Sequence, residues 1–273
     1  MKPTVAIIGI GLIGGSLGQA LRHSKRYRVL GIARRPATLI DARRLGAIDV
    51  GSTNLTDVYQ ADIVVLCMPV DDIVPVLEKI KPFLKPRAIV TDVGSVKGIL
   101  SRLVKGVRFV GAHPLAGSHK TGVRAARPDL FKNAACALVP QDLSALGTVR
   151  AMWQAAGARP MIMTARSHDA AVAITSHLPH LLAHALVQVA AGRSDQKVLK
   201  SLMAGSFRDV TRVASSDPEQ WVQIFQVNLK NLRQAVRLFQ RELSRLSSEL
   251  DRPSLRATLR KSQGYRLPLF DGL

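Results

Sequence analysis

Val5-Ala-Ile-Ile-Gly9-Ile-Gly11-Leu-Ile-Gly14-Gly-Ser-Leu-Gly-Gln-Ala-Leu21 decides how the rest of the chain is read. Four apolar residues predict a buried strand, a Gly-x-Gly-x-x-Gly turn follows, and an apolar-periodic segment opens a helix. Gly9 permits the tight turn, Gly11 lets backbone amides approach a pyrophosphate, and Gly14 lets helix and strand pack closely. The helix start offers unpaired N–H groups and the positive end of its dipole to that phosphate pair. Gly9, Gly11, Leu12, Ile13 and Gly14 are therefore candidate dinucleotide contacts. A tight strand-to-helix turn without a ligand is the plain alternative.

The next stretch sets cofactor choice. Tyr27-Arg-Val-Leu-Gly-Ile-Ala33 reads as the second strand and ends in Arg34-Arg35-Pro36. About twenty residues beyond the glycine loop, a carboxylate would accept hydrogen bonds from the adenosine ribose, whereas an arginine would pair with a 2′-phosphate. Here there is no carboxylate. Arg34 and Arg35 favour NADP over NAD, unless both are only solvated surface charges.

Further strands are expected at 61–69, 88–92, 107–112, 136–139 and 159–163, with helical patterns at 39–45 and 73–80. This alternation implies a doubly wound, mostly parallel Rossmann-like α/β sheet over residues 1–165. From 166 the pattern turns helical, with segments at 166–192, 195–213 and 218–249 and a loosely docked basic tail from Arg252. Residues 166–273 thus read as an all-helical domain. Its helices are too apolar for a small bundle alone, which predicts a homodimer through it.

Composition narrows the class. The 273 residues are 47 % hydrophobic, enough for a substantial core. No apolar run is expected to reach membrane-spanning length and no secretion signal is evident, so a cytoplasmic protein is expected. Cys67 and Cys136, both in apolar strands, read as reduced and structural. The formal charge of +20 invites a nucleic-acid partner. The basic residues are dispersed, however, and aromatics for base stacking make up only 4 %. No nucleic-acid partner is expected.

In an open α/β sheet, ligands bind outside the carboxyl ends of the strands. Three loops at that edge carry candidate groups: Met68-Pro69, Gly94-Ser95-Val96-Lys97 and His113-Pro-Leu-Ala-Gly-Ser118. His113 ends a strand and is followed by Pro114, so rigid backbone aims its imidazole, the usual general base near neutral pH. In the helical half, His177, His180 and His184 share one face, beside Pro179, which should bend the helix. With no nearby carboxylate ligand they read as a pocket wall, and no metal is expected. Arg208 and Arg212 lie one turn apart, where a guanidinium can clamp a carboxylate.

Asp92-Val-Gly-Ser-Val-Lys97, Gly111-Ala-His-Pro-Leu-Ala-Gly117, Ser176-His-Leu-Pro-His180 and Gly205-Ser-Phe-Arg-Asp-Val-Thr-Arg212 follow the dinucleotide loop in that order. Together they resemble the prephenate/arogenate dehydrogenase family of tyrosine biosynthesis over nearly the whole chain. The resemblance implies an oxidative decarboxylation of a cyclohexadienyl substrate. It makes His113 the base or hydrogen-bond acceptor and gives Ser95 the task of orienting the hydroxyl and the nicotinamide. Arg212 would bind a substrate carboxylate, His177 and His180 would line the pocket, and Trp221 would form an apolar wall. Ser118 and His119 become candidate substrate contacts, and Met68 and Pro69 candidate cofactor contacts. Two departures bear on specificity. Members preferring NAD usually carry an acidic residue where this chain has Ala33, and some prephenate users have a Glu at the position of His119. Arogenate with NADP is favoured. The alternatives are a prephenate-specific enzyme with NAD, another two-domain NADP dehydrogenase of the β-hydroxyacid or imine reductase type, and a basic nucleic-acid-binding or NADP-sensing protein without turnover.

Overall fold

A computed structural model describes residues 2–117 and 120–269. Its first half is built on one eight-stranded sheet in the order β3-β2-β1-β4-β5-β6-β7-β8. The strands are β1 (Thr4–Ile8), β2 (Arg28–Ile32), β3 (Val50–Ser52), β4 (Ile63–Leu66), β5 (Ile89–Asp92), β6 (Arg108–Pro114), β7 (Ala135–Pro140) and β8 (Arg159–Ile162). The intervening α-helices are α1 (Leu12–His23), α2 (Pro36–Arg44), α3 (Val70–Ile80), α4 (Gly98–Leu103) and α5 (Leu143–Ala155).

β1 is apolar on both faces because helices cover the sheet on both sides. Val5 and Ile7 pack with Leu17 and Leu21 of α1 and with Val149 and Trp153 of α5. Ala6 and Ile8 face the other way, onto Ile73, Leu77 and Ile80 of α3. The strand order reverses between β1 and β4, so the glycine loop after β1 sits at the topological switch point, where such sheets open a crevice.

Within the mostly parallel sheet, β7 runs antiparallel to β6, with His113 opposite Ala137 and Pro114 opposite Cys136. Between these two strands the described residues hold only the short 3-10 turn Val123–Ala125, without the helix that a parallel crossover uses. The three-residue β3, which the sequence reading passed over, pairs along β2 from Leu30 to Ile32.

The second half is helical, and four expectations about it are corrected. The segment expected as one helix over 166–192 is continuous but irregular: α6 (Ala165–Val172), a π-helical segment Ala173–His177, and α7 (Leu178–Ala191). Pro179 has no N–H for the carbonyl four residues back and its ring would strike that carbonyl; the wider π turn absorbs both conflicts. Residues 195–213 split into α8 (Gln196–Leu202) and α9 (Gly205–Thr211), followed by a 3-10 turn Arg212–Ser215. Residues 218–249 split into α10 (Pro218–Val227) and α11 (Leu229–Ser247) at Asn228, whose backbone leaves the helical region while its side chain bonds inward. Finally, the stretch Ala165–Ala191 is long and apolar enough, by length and composition, to cross a membrane, contrary to expectation. Its buried His168, Asp169 and His177 are polar, and the first two bond to the sheet domain. The basic tail forms α12 (Ser254–Arg266), with none of its residues buried.

Candidate active site

The site is built where the carboxyl ends of β1, β4, β5 and β6 meet α10. A cleft of about 540 Å³ is lined there by the glycine loop, Met68, Pro69, Ser95 and His113, with Gln220, Gln223 and Ile224 on the facing helix. Gly9 adopts φ +96°, and a Cβ there would stand 2.2 Å from the Cys67 carbonyl oxygen. A Cβ at Gly14 would meet the Gly9 carbonyl at 2.1 Å. These contacts bring strand and helix together at the mouth of the cleft. Gly11 differs: among the described residues, nothing lies within 4 Å of the position a Cβ would take. Open backbone at the uncapped start of α1, facing the cleft, fits the pyrophosphate of a dinucleotide. Arg34 and Arg35 are exposed between the end of β2 and α2, outside the residues lining the cleft.

A buried polar network holds this edge of the cleft. Asp92, the last residue of β5, forms an ion pair with Lys97, and both side chains are buried. The Asp92 carboxylate also accepts the Gly94 N–H at 2.8 Å and the Ala112 N–H at 3.0 Å. Lys97 Nζ donates to the Ala112 carbonyl at 2.7 Å, directly before His113. Burial pushes the Lys97 pKa down while Asp92 opposes the shift. With both partners satisfied, the pair pins the Ser95 loop to the end of β6. Ser95 is half-buried on that loop, lines the cleft, and has no side-chain hydrogen bond among the described residues.

His113 Nδ1 lies 2.9 Å from Nε2 of His168. Burial drives the His113 pKa well below the ordinary imidazole value, with His168, Lys97 and His177 adding to the shift. His113 is therefore neutral near pH 7. His168 in turn bonds Asp169, which accepts the backbone N–H groups of Lys97 and Gly98. Burial alone would raise the Asp169 pKa; these hydrogen bonds hold it below the usual carboxylate range. The sequence reading missed His168 and Asp169. The adjacent His-Asp pair opening a helix was its one visible signal.

Behind this lies a ring cluster. His180 stacks on Trp221 at 3.4 Å between centroids, and His177 meets Trp221 edge-on at 6.1 Å. Burial lowers His177 to about 4, and Asn228 donates to its Nδ1 at 3.2 Å. His180 is also lowered, first by burial, then by His184 and the Arg212 charge. Arg212 is exposed and makes no ion pair among the described residues, whereas Arg208 turns to Asp209 at 3.5 Å. The cluster thus unites His177, His180, Trp221 and Arg212, close enough for His177 to act on His113. It lies beside the lining of the cleft and is not part of it. Ser118 and His119 lie outside the described residues.

Cys67 and Cys136 are free, and burial pushes both thiols up, Cys136 to about 12, so neither supplies a nucleophile.

Two family models match: "Prephenate dehydrogenase, nucleotide-binding domain" over residues 17–162 and "Prephenate dehydrogenase, dimerization domain" over 164–261. The cyclohexadienyl dehydrogenase of Zymomonas mobilis is 33 % identical, with 97 % of this chain and 95 % of that one aligned. Prephenate dehydrogenase from A. aeolicus, solved with hydroxyphenyl propionate and NAD+, superimposes with a TM-score of 0.92 at 33 % identity, over 98 % of this chain and 99 % of that one. Synechocystis arogenate dehydrogenase does so with 0.85 at 33 %, over 97 % and 99 %. The chain belongs to the prephenate/arogenate dehydrogenase family, NAD(P)-dependent oxidoreductases that pair a nucleotide-binding Rossmann domain with a helical dimerisation domain.

Proposed function

We propose that this protein catalyses the oxidative decarboxylation of arogenate to tyrosine, with prephenate as a further substrate, and that it favours NADP. The observation that carries the reading is a neutral, strand-end His113 sharing one cleft with the Ser95 hydroxyl and the open Gly11 loop. When bound, the nicotinamide cofactor supplies the hydride acceptor. His113 takes the proton of the substrate 4-hydroxyl as the carbinol carbon gives up hydride. The new carbonyl then draws the C–C bonding electrons through the ring, CO2 leaves, and the resulting phenolate takes the proton back from the His113 imidazolium to give the phenol. Ser95 donates a hydrogen bond that orients the hydroxyl. Arg212 clamps a substrate carboxylate, and the His180–Trp221 stack gives it an apolar backing. Aromatisation supplies the driving force, so the residues act mainly by alignment and by excluding water.

NADP is supported by Arg34 and Arg35 at the end of β2, where a ribose-binding carboxylate is missing. The second reading, prephenate with NAD, is favoured by the NAD+ complex of the A. aeolicus relative. A homodimer through the helical half is supported by the dimerization-domain match and by exposed Ile174, Leu186, Val189 and Leu202. Steady-state absorbance at 340 nm with each substrate and each cofactor tests the reading. Fastest turnover with arogenate and NADP is expected; no turnover in any combination would overturn it.

A further inference from the structure

His113 sits on the Rossmann half, but the groups behind it come from the other half. His168 and Asp169 belong to α6, 55 and 56 positions further along the chain. Three contacts run in series: His113 Nδ1 to His168 Nε2 at 2.9 Å, His168 Nδ1 to Asp169 Oδ1 at 2.8 Å, and Asp169 to the N–H groups of Lys97 and Gly98 at 2.8 and 2.7 Å. Gly98 makes the last step possible, because a Cβ there would stand 2.6 Å from Asp169 Oδ2. His168 is 1 % exposed, so both of its ring contacts are buried.

The far end of the series fixes the hydrogens. A carboxylate only accepts, so His168 Nδ1 carries a hydrogen. With its one ring hydrogen on Nδ1, His168 has a bare Nε2, which requires the hydrogen of His113 Nδ1. Neutral His113 is left with a lone pair on Nε2. Were His168 an imidazolium instead, its Nε2–H would donate to His113 Nδ1, and His113 would present an N–H and accept nothing. Lys97 and His177 also bear on His113, and both, like an imidazolium at 168, disfavour added positive charge there.

We infer that His168 and Asp169 are positioning residues that lock His113 in its Nδ1–H tautomer and so make it an acceptor toward the cleft. The inference rests on the reading of His113 as the base. It adds that the base is completed only when the helical half docks, since Asp169 also fastens α6 to the Ser95–Lys97 loop and Asn228 holds the Asp169 carbonyl at 2.8 Å. As proton uptake at Nε2 charges His113, its Nδ1–H bond to the His168–Asp169 pair strengthens, as in other His–carboxylate relays.

Nitrogen-15 NMR of the intact, histidine-labelled protein at neutral pH tests the tautomer without substrate. A protonated Nδ1 and a bare Nε2 on His113 are expected; the reverse pattern overturns the inference. The variants His168→Leu and His168→Gln give the kinetic test. His168→Leu should mix the His113 tautomers and lower kcat about 100-fold, with KM and cofactor Kd within about 2-fold of wild type. His168→Gln, whose amide oxygen still accepts from Nδ1–H, should recover most of that loss. Wild-type kcat in His168→Leu, or equal losses in both variants, overturns the inference. If the wild type turns over none of the four substrate and cofactor pairs, the functional reading fails, while the spectrum still decides the tautomer.

Discussion

The two halves of this chain close their cores in different ways. In the Rossmann half, both faces of the sheet are sealed, with Leu17, Leu21 and Trp153 on one side and Ile73, Leu77 and Ile80 on the other, all at most 1 % exposed. In the helical half the buried apolar cluster reduces to Ala173, Leu178, Leu232 and Ala235. Ile174 is 54 % exposed, Val189 68 % and Leu202 74 %. At roughly 25 cal/mol per Å2 of apolar surface buried, the first half gains its stability from its own side chains. The second leaves much of its apolar surface exposed in the single chain. The site lies on the seam, where a rigid edge of the first half meets the polar face of α6.

The comparison breaks most sharply at the buried ion pair of the rigid half. Lys97→Met leaves the buried Asp92 carboxyl short of its ion-pair partner, and should destabilise the protein by about 3 to 5 kcal/mol in denaturant unfolding. A loss under about 1 kcal/mol would mean that water reaches this edge and that the pair does not hold it. A smaller effect sharpens the other side. If the helical half is completed by a second copy, each tenfold dilution should lower the apparent unfolding free energy by about 1.4 kcal/mol. A thermal midpoint independent of concentration, with sedimentation as a monomer, would show the helical half to be complete alone.

Much of this division is legible in residue types. The glycine loop declares itself because each glycine answers a local requirement, a turn at Gly9 and a close approach at Gly14. Periodicity locates α3 and β4 because burial on one face, or on both, repeats along the chain. Strand direction is not written in apolarity. The reversal of β7 showed only in the lack of a helical pattern between Pro114 and Ala135. The helix breaks at Met203-Ala204 and Asn228 were hidden for another reason: the flanking segments keep helical composition, and tertiary bonds such as that of Asn228 to the Asp169 carbonyl decide the interruption. His168 and Asp169 escaped the reading because their role depends on partners more than fifty residues away. His113 did not, because a histidine between a strand and a proline at the ligand edge is recognisable locally.

The apolarity of Ala165–Ala191 carries the same lesson. By composition the stretch suits a bilayer, yet its buried polar residues hold the catalytic edge while Ile174 and Val189 face outward. One helix thus turns polar groups to the sheet domain and leaves apolar side chains exposed.

The central claim is that this seam performs chemistry through His113, and His113→Asn tests it most directly. The account predicts that turnover falls by about 100- to 10,000-fold, the usual contribution of a positioned acid or base. Cofactor affinity should stay within about 2-fold, because the glycine loop that lines the cleft is untouched. Near-wild-type turnover in the folded variant would contradict the account and remove His113 from the mechanism.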